Sequence, residues 1–171
     1  MRNYLSLPQP RDLTDREKED GMGAYLMMFA AFAVSLPLPV VNLIAAVVYY
    51  YINRRKSRYV HFHCLQSLLS QLPTTVLNWG ILFILLKVLL FESWAMNNVL
   101  WSYIIFAVVA NLIYTIFSIV AAVKARKGKF FYFLFFGSYS YSVVYSMSNT
   151  LAYENEAPKE GESVTENLPP I

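Results

Sequence analysis

The chain has 171 residues, 57% of them hydrophobic, a net charge of +3 and a mean hydropathy of +0.40, and its apolar residues fall in blocks richer than a soluble domain carries. Basic residues gather beside those blocks instead of forming a stripe on a soluble helix, which excludes a nucleic-acid-binding surface and fits the positive-inside pattern of membrane proteins. The single cysteine, Cys64, excludes an internal disulfide.

In chain order, Met1–Arg11, with Pro8 and Pro10, reads as a loose tail. Met1–Asp20 mixes four basic and five acidic residues before any apolar run, the wrong order for a secretion signal. Thr14 followed three residues later by Glu17 has the signature of a capping box, and Asp15, Glu17 and Glu19 sit where a helix dipole favours acids. This charged turn is expected to lead directly into the membrane.

Met22–Leu36 is the first apolar block, Pro37-Leu38-Pro39 ends it, and Val40–Ile52 is the second. Each is shorter than the ~20 residues of a full span. Two short helices joined by a proline turn, or one long kinked helix, satisfy this pattern. The hairpin is preferred, because a continuous helix of about 32 residues would run about 48 Å against a hydrocarbon core of about 30 Å.

A basic loop, Asn53–Arg58, follows with Arg54, Arg55, Lys56 and Arg58. Val60–Phe91 is too long for one straight span, and Pro73 is expected to divide it. Val60–Leu72 then reads as a polar-faced segment near the interface and Thr74–Phe91 as the crossing. Glu92–Asn98 is a short outer loop. Val99–Val123 is a final span, closed by Lys124, Arg126, Lys127 and Lys129, with Gly128 as its C-cap.

Counting bases puts the N-terminus and both basic clusters on the cytoplasmic side of an inner membrane, with the proline turn and Glu92–Asn98 outside. The expected fold is therefore all-α, a polytopic membrane helix bundle of four spans. Three spans would set the two clusters on opposite sides. Phe130–Met147, rich in Phe and Tyr, reads as an interfacial segment, with a fifth span as the alternative. Asn149–Ile171 holds five acids, one Lys and three prolines, and is expected to be disordered.

The candidate site is a polar stripe. His63, Gln66, Ser67, Ser70 and Thr74 share one helical face. It reads either as a polar path or peptide-contacting surface, or as amides and hydroxyls bonding across helices; the second is favoured. Asn42, Asn78 and Asn111, single amides in three blocks, are candidates for a shared network in the bundle centre. His61, His63 and Cys64 invite a metal reading, but His63 points away from the other two and no second ligand cluster completes a tetrahedral site. Lys87 can snorkel outward toward Glu92. Paired acids, HExxH, GxSxG and phosphate-binding glycine loops are all missing from the sequence. No cofactor is expected, and no enzyme.

Several ordered elements, Leu13-Thr14 with Glu17 and Glu19, Pro37-Leu38-Pro39-Val40-Val41-Asn42, Arg54-Arg55-Lys56-Ser57, Tyr59 to Leu68 and Ala121 to Tyr132, resemble a known pattern. The chain is similar to the bacterial four-helix membrane family of unknown function related to the twenty-kilodalton subunit of the chloroplast inner-envelope import translocon. That resemblance implies four helices with both ends cytoplasmic, and a link to protein translocation or membrane assembly. His63 and Gln66 match that family's His and Gln at the start of the third helix, and Asn42 its Asn after the proline turn. Ala45-Ala46 and the aromatic Phe130–Tyr145 stretch depart from it. The expected role is a small non-enzymatic subunit or scaffold in contact with the lipid bilayer and with a membrane protein partner or a second copy. The alternative is an oligomeric channel or carrier lined by the His63–Thr74 stripe.

Overall fold

The computed structural model describes residues 5–29, 39–90, 97–146, 153 and 167–170. Five α-helices are found among them: α1 Asp15–Leu26, α2 Pro39–Asn53, α3 Arg58–Leu90, α4 Asn98–Arg126 and α5 Leu134–Val144. The capping box at the start of α1 is formed. Glu17 N donates to Thr14 Oγ1 at 3.2 Å and Thr14 N to Glu17 Oε2 at 2.9 Å, so two amides that a helix start leaves orphaned are satisfied reciprocally. α1 passes at its end into a 3₁₀ turn, Met27–Phe29. α2 opens at Pro39, where the missing amide is one that a first helical turn leaves unbonded in any case.

α3 begins after Ser57, whose hydroxyl accepts from Val60 N at 3.3 Å. It then runs unbroken through Pro73 for 33 residues. Asn97 caps α4 by accepting from Leu100 N at 3.0 Å. At its other end Gly128, at φ 74°, closes α4 as expected. Gly128 N donates to Ala125 O at 2.9 Å and Lys129 N to Lys124 O at 3.0 Å, the bond pair of a Schellman cap.

α3 is the central post: α1, α2, α4 and α5 all pack on it, and α1 also lies along α4. One end of this arrangement is dense. Tyr25, Tyr59, Val60, Phe62, Cys64, Phe130, Phe133, Tyr141, Val144 and Tyr145 are buried there. Ala121, Ala122 and Ala125 of α4 provide the small surface on which Tyr25 of α1 rests. The other end is bare. Val76, Phe83, Leu89 and Leu90 of α3, and Val99, Ile105, Phe106 and Leu112 of α4, are exposed. In the most apolar stretch of each long helix only 11% (α3) and 17% (α4) of residues are buried. A core helix of a soluble domain would be mostly buried, so these surfaces require an apolar solvent.

Several expectations need correcting. Among the described residues, α3 and α4 are the two helices long and apolar enough to cross a membrane, and α2 is apolar but shorter; four spans were expected. The helix expected to start at Thr14 does so and runs directly into the first apolar block, Met22–Leu36, but its α-helix ends within that block, at Leu26, before the 3₁₀ turn. Residues 30–36, Pro37 and Leu38 of the proline turn, and Glu92–Met96 of the outer loop lie outside the described residues. Pro73 does not divide α3. It removes one backbone donor, and a helix in apolar surroundings tolerates that where nearby hydroxyls and neighbouring helices compensate. Thr74 Oγ1, adjacent to it, donates to Gln71 O at 3.0 Å.

Phe130–Phe133 is extended and lies over the dense end, and α5 follows with Gly137, Ser140, Tyr141 and Val144 buried. With 11 residues, α5 is about 16 Å long, too short to cross. Most of the C-terminal tail, expected to be disordered, lies outside the described residues; of its described residues Asn167 is buried, at 5% exposed, and Leu168 is exposed.

Candidate functional site, a polar knot at the dense end

Four of the sequence-selected residues, His63, Gln66, Ser67 and Ser70, are buried together on the inner face of α3. Gln66 is the hub. Its Nε2 donates to Tyr25 Oη at 2.7 Å and to Phe131 O at 2.8 Å, and its Oε1 accepts from Phe133 N at 3.3 Å. One amide thus fastens α1, α3 and the extended segment before α5. Because Tyr25 Oη accepts from Gln66, its own proton is directed to His63 Nδ1, 2.9 Å away. That assigns the remaining ring proton to His63 Nε2.

Nε2 has no hydrogen-bond partner among the described residues and is fully buried. It lies among aromatic rings: Tyr59 meets the imidazole edge-on at 4.4 Å between centroids and Phe130 stacks on it at 5.6 Å. Tyr59 in turn donates to Ala125 O of α4 at 2.7 Å. Gly21 explains how α1 comes so close, since a Cβ there would sit 3.0 Å from Tyr59 Cε1 and 3.2 Å from His63 Cδ2. Farther along the face, Ser67 Oγ donates to Ala24 O at 2.7 Å, Ser70 Oγ to Ser67 O at 2.9 Å, and Gln71 Nε2 to Ser67 Oγ at 3.4 Å.

Asn78 and Asn111 form a second, separate fastening within the two long helices. Each amide donates to the other, at 3.1 and 2.8 Å, and Asn111 Nδ2 also reaches Ala107 O at 2.7 Å. Asn42 is half-buried on α2. His61 does not join His63. Its Nε2 lies 3.2 Å from Tyr50 Oη and its Nδ1 2.8 Å from Tyr153 Oη. Lys87 stays near its own helix, 5.6 Å from the centroid of the Phe83 ring; its expected partner Glu92 lies outside the described residues.

The basic residues rim the same dense end. Lys56 Nζ binds Asp20 Oδ2 at 2.7 Å and Arg126 binds Glu19 Oε1 at 3.1 Å. Adjacent acids on α1 therefore tie the first basic cluster to the second. Arg54 lies over the Tyr51 ring at 4.8 Å, Arg58 over Tyr153 at 5.0 Å and Lys124 over Phe131 at 5.0 Å. Arg55, Lys127 and Lys129 are exposed.

Sequence reasoning missed Tyr25, Tyr59, Gly21 and Asn167. A tyrosine within an apolar block has no local signal that separates a lipid-facing ring from a fastening hydroxyl. The small-residue spacing Gly21–Ala24 on α1, facing Ala121–Ala125 on α4, was the available clue to close helix approach.

A model of the magnetosome magnetite crystal formation protein family, MamF/MmsF, matches residues 19–139. The chain belongs to that family. No curated protein and no solved structure matches it. The family match overturns the resemblance to the chloroplast import translocon, and the translocation role goes with it. The elements that carried the resemblance, a proline turn between apolar blocks and basic clusters at helix ends, answer to constraints shared by small polytopic membrane proteins. The matched range of the MamF/MmsF family takes in Glu19 and Asp20, both basic clusters, and every residue of the Gln66 knot. The capping box, Tyr153 and Asn167 lie outside it.

Proposed function

We propose that this MamF/MmsF protein is a non-enzymatic structural subunit of the magnetosome membrane, holding part of the crystal-forming machinery in place within the bilayer. The family match over residues 19–139 carries this reading. The chemistry of the knot supports it: the Gln66 amide and the Ser67 and Ser70 hydroxyls bond partners within the chain, as fasteners do and as the lining of a passage does not. α3 and α4 cross out and back. α1 and α2 form a shorter hairpin on the side where the chain enters, and both basic clusters stay on that one side, the cytoplasmic one.

The test is genetic. In a magnetosome-forming cell lacking this protein, the wild-type chain should restore normal crystals. Gln66→Leu should restore them poorly, in proportion to its reduced amount in the membrane. Normal crystals in the deletion strain would remove the assignment.

A further inference from the structure

Three distant stretches of chain meet at Asn167. Its Nδ2 donates to Pro8 O at 2.8 Å and to Gly128 O at 3.0 Å, and its Oδ1 accepts from Phe130 N at 3.2 Å. Its backbone amide donates to Gln9 Oε1 at 3.0 Å, and Tyr132 Oη donates to Leu168 O at 2.7 Å. Burial pushes the Tyr132 phenol up, so that hydroxyl keeps the proton it donates. The side-chain pattern needs two donors and one acceptor on one planar group at this reach. Asp lacks the donors, Leu lacks all three, and Gln is a methylene too long.

The groups that receive Asn167 are positioned without it. The cap of α4 fixes Gly128. The rings of Tyr59 and Phe62, 5.2 and 4.9 Å from that of Phe130, hold the Phe130 segment. Gln9 is fixed by a local turn, with Gln9 N donating to Asp12 Oδ2 at 3.1 Å and Asp12 N to Gln9 O at 2.9 Å. Among the described residues of the tail, burial falls on Asn167: it is 5% exposed, while the next residue, Leu168, is 62% exposed. Main-chain hydrogen bonds plus a single side-chain slot is how proteins hold short extended peptides.

We infer that Pro8–Gln9, Gly128–Phe130 and Tyr132 form a peptide-binding cleft selective for asparagine, and that this chain's own Asn167–Leu168 is its dissociable occupant. The occupant and Pro8–Gln9 lie outside the family-matched range, while Gly128–Phe130 and Tyr132 lie inside it.

The probe is a fluorescent peptide of residues 162–171, added to the full-length chain in lipid nanodiscs. The wild-type cleft is filled, so binding should be at least about tenfold weaker than to full-length Asn167→Ala or Asn167→Asp, whose own tails no longer fit. The same peptide with Ala in place of Asn should bind none of them. Cys64, 2% exposed, reports whether each variant is folded. Folded variants that bind no peptide, or that bind both peptides equally, overturn the inference. So does rapid Cys64 labelling in both variants, because Asn167 would then be part of the core and not an occupant.

Discussion

Replacing Gln66 with Leu keeps volume and apolar packing while deleting three hydrogen bonds, to Tyr25 Oη, Phe131 O and Phe133 N. Gln66 is fully buried, so water cannot step in. Each buried group stranded this way costs ~1–3 kcal/mol. Phe131 O, at a partly buried bond, recovers part of that by shifting, whereas Phe133 N is buried. Tyr25 keeps His63 as acceptor and loses only a donor. The net expectation is ~3 kcal/mol, about a hundredfold change in an opening equilibrium.

Cys64, two residues from Gln66 on the same helix and 2% exposed, is a built-in reporter. Its alkylation rate in nanodiscs follows the fraction of time the dense end is open. Gln66→Leu should raise that rate about a hundredfold, whereas Ser67→Ala, which loses the bond to Ala24 O and the longer one from Gln71 Nε2, should raise it about tenfold. A change below about threefold for Gln66→Leu would refute the view that this amide fastens the helices.

Gly128→Ala should destabilise the chain by at least ~1–2 kcal/mol in thermal unfolding, because φ 74° is strained for alanine and the new Cβ would sit 2.9 Å from Pro10 Cα. A double-mutant cycle on Asn78→Leu and Asn111→Leu should give a coupling of ~0.6–1.7 kcal/mol, the range for paired polar groups within membranes. Gly80→Ala should disturb the meeting of α3 and α4, since its Cβ would land on the Tyr103 hydroxyl that donates to Leu77 O; loss of that bond is read from the Tyr103 ring signals by NMR.

Much of the dense end was legible because its signals are local. The Thr14–Glu17 box, Gly128 after the last turn of α4, and the shared face of His63, Gln66, Ser67 and Ser70 each depend on spacing alone. The stripe's partners were not legible. Tyr25, the Phe131 and Phe133 backbone and Ala24 O come from segments whose approach is set by packing, and spacing within α3 says nothing about them. Pro73 misled because the rule that proline ends a helix is calibrated on water-exposed helices, while a buried helix in lipid keeps its bonds wherever it can. Asn167 was hidden by composition. The tail around it is polar and proline-bearing, and one side chain with a cut-to-shape slot does not alter that average.

The central claim is that both basic clusters lie on one side of the membrane, bridged by Glu19 and Asp20 of α1, with α3 and α4 passing out and back between them. The direct measurement is cysteine labelling by a membrane-impermeant reagent in sealed vesicles, on a Cys64→Ser background, at three exposed positions: Arg55→Cys, Lys127→Cys and Asn97→Cys. The account predicts that positions 55 and 127 label from the same side and position 97 from the opposite one. Labelling of 55 and 127 from opposite sides would contradict it.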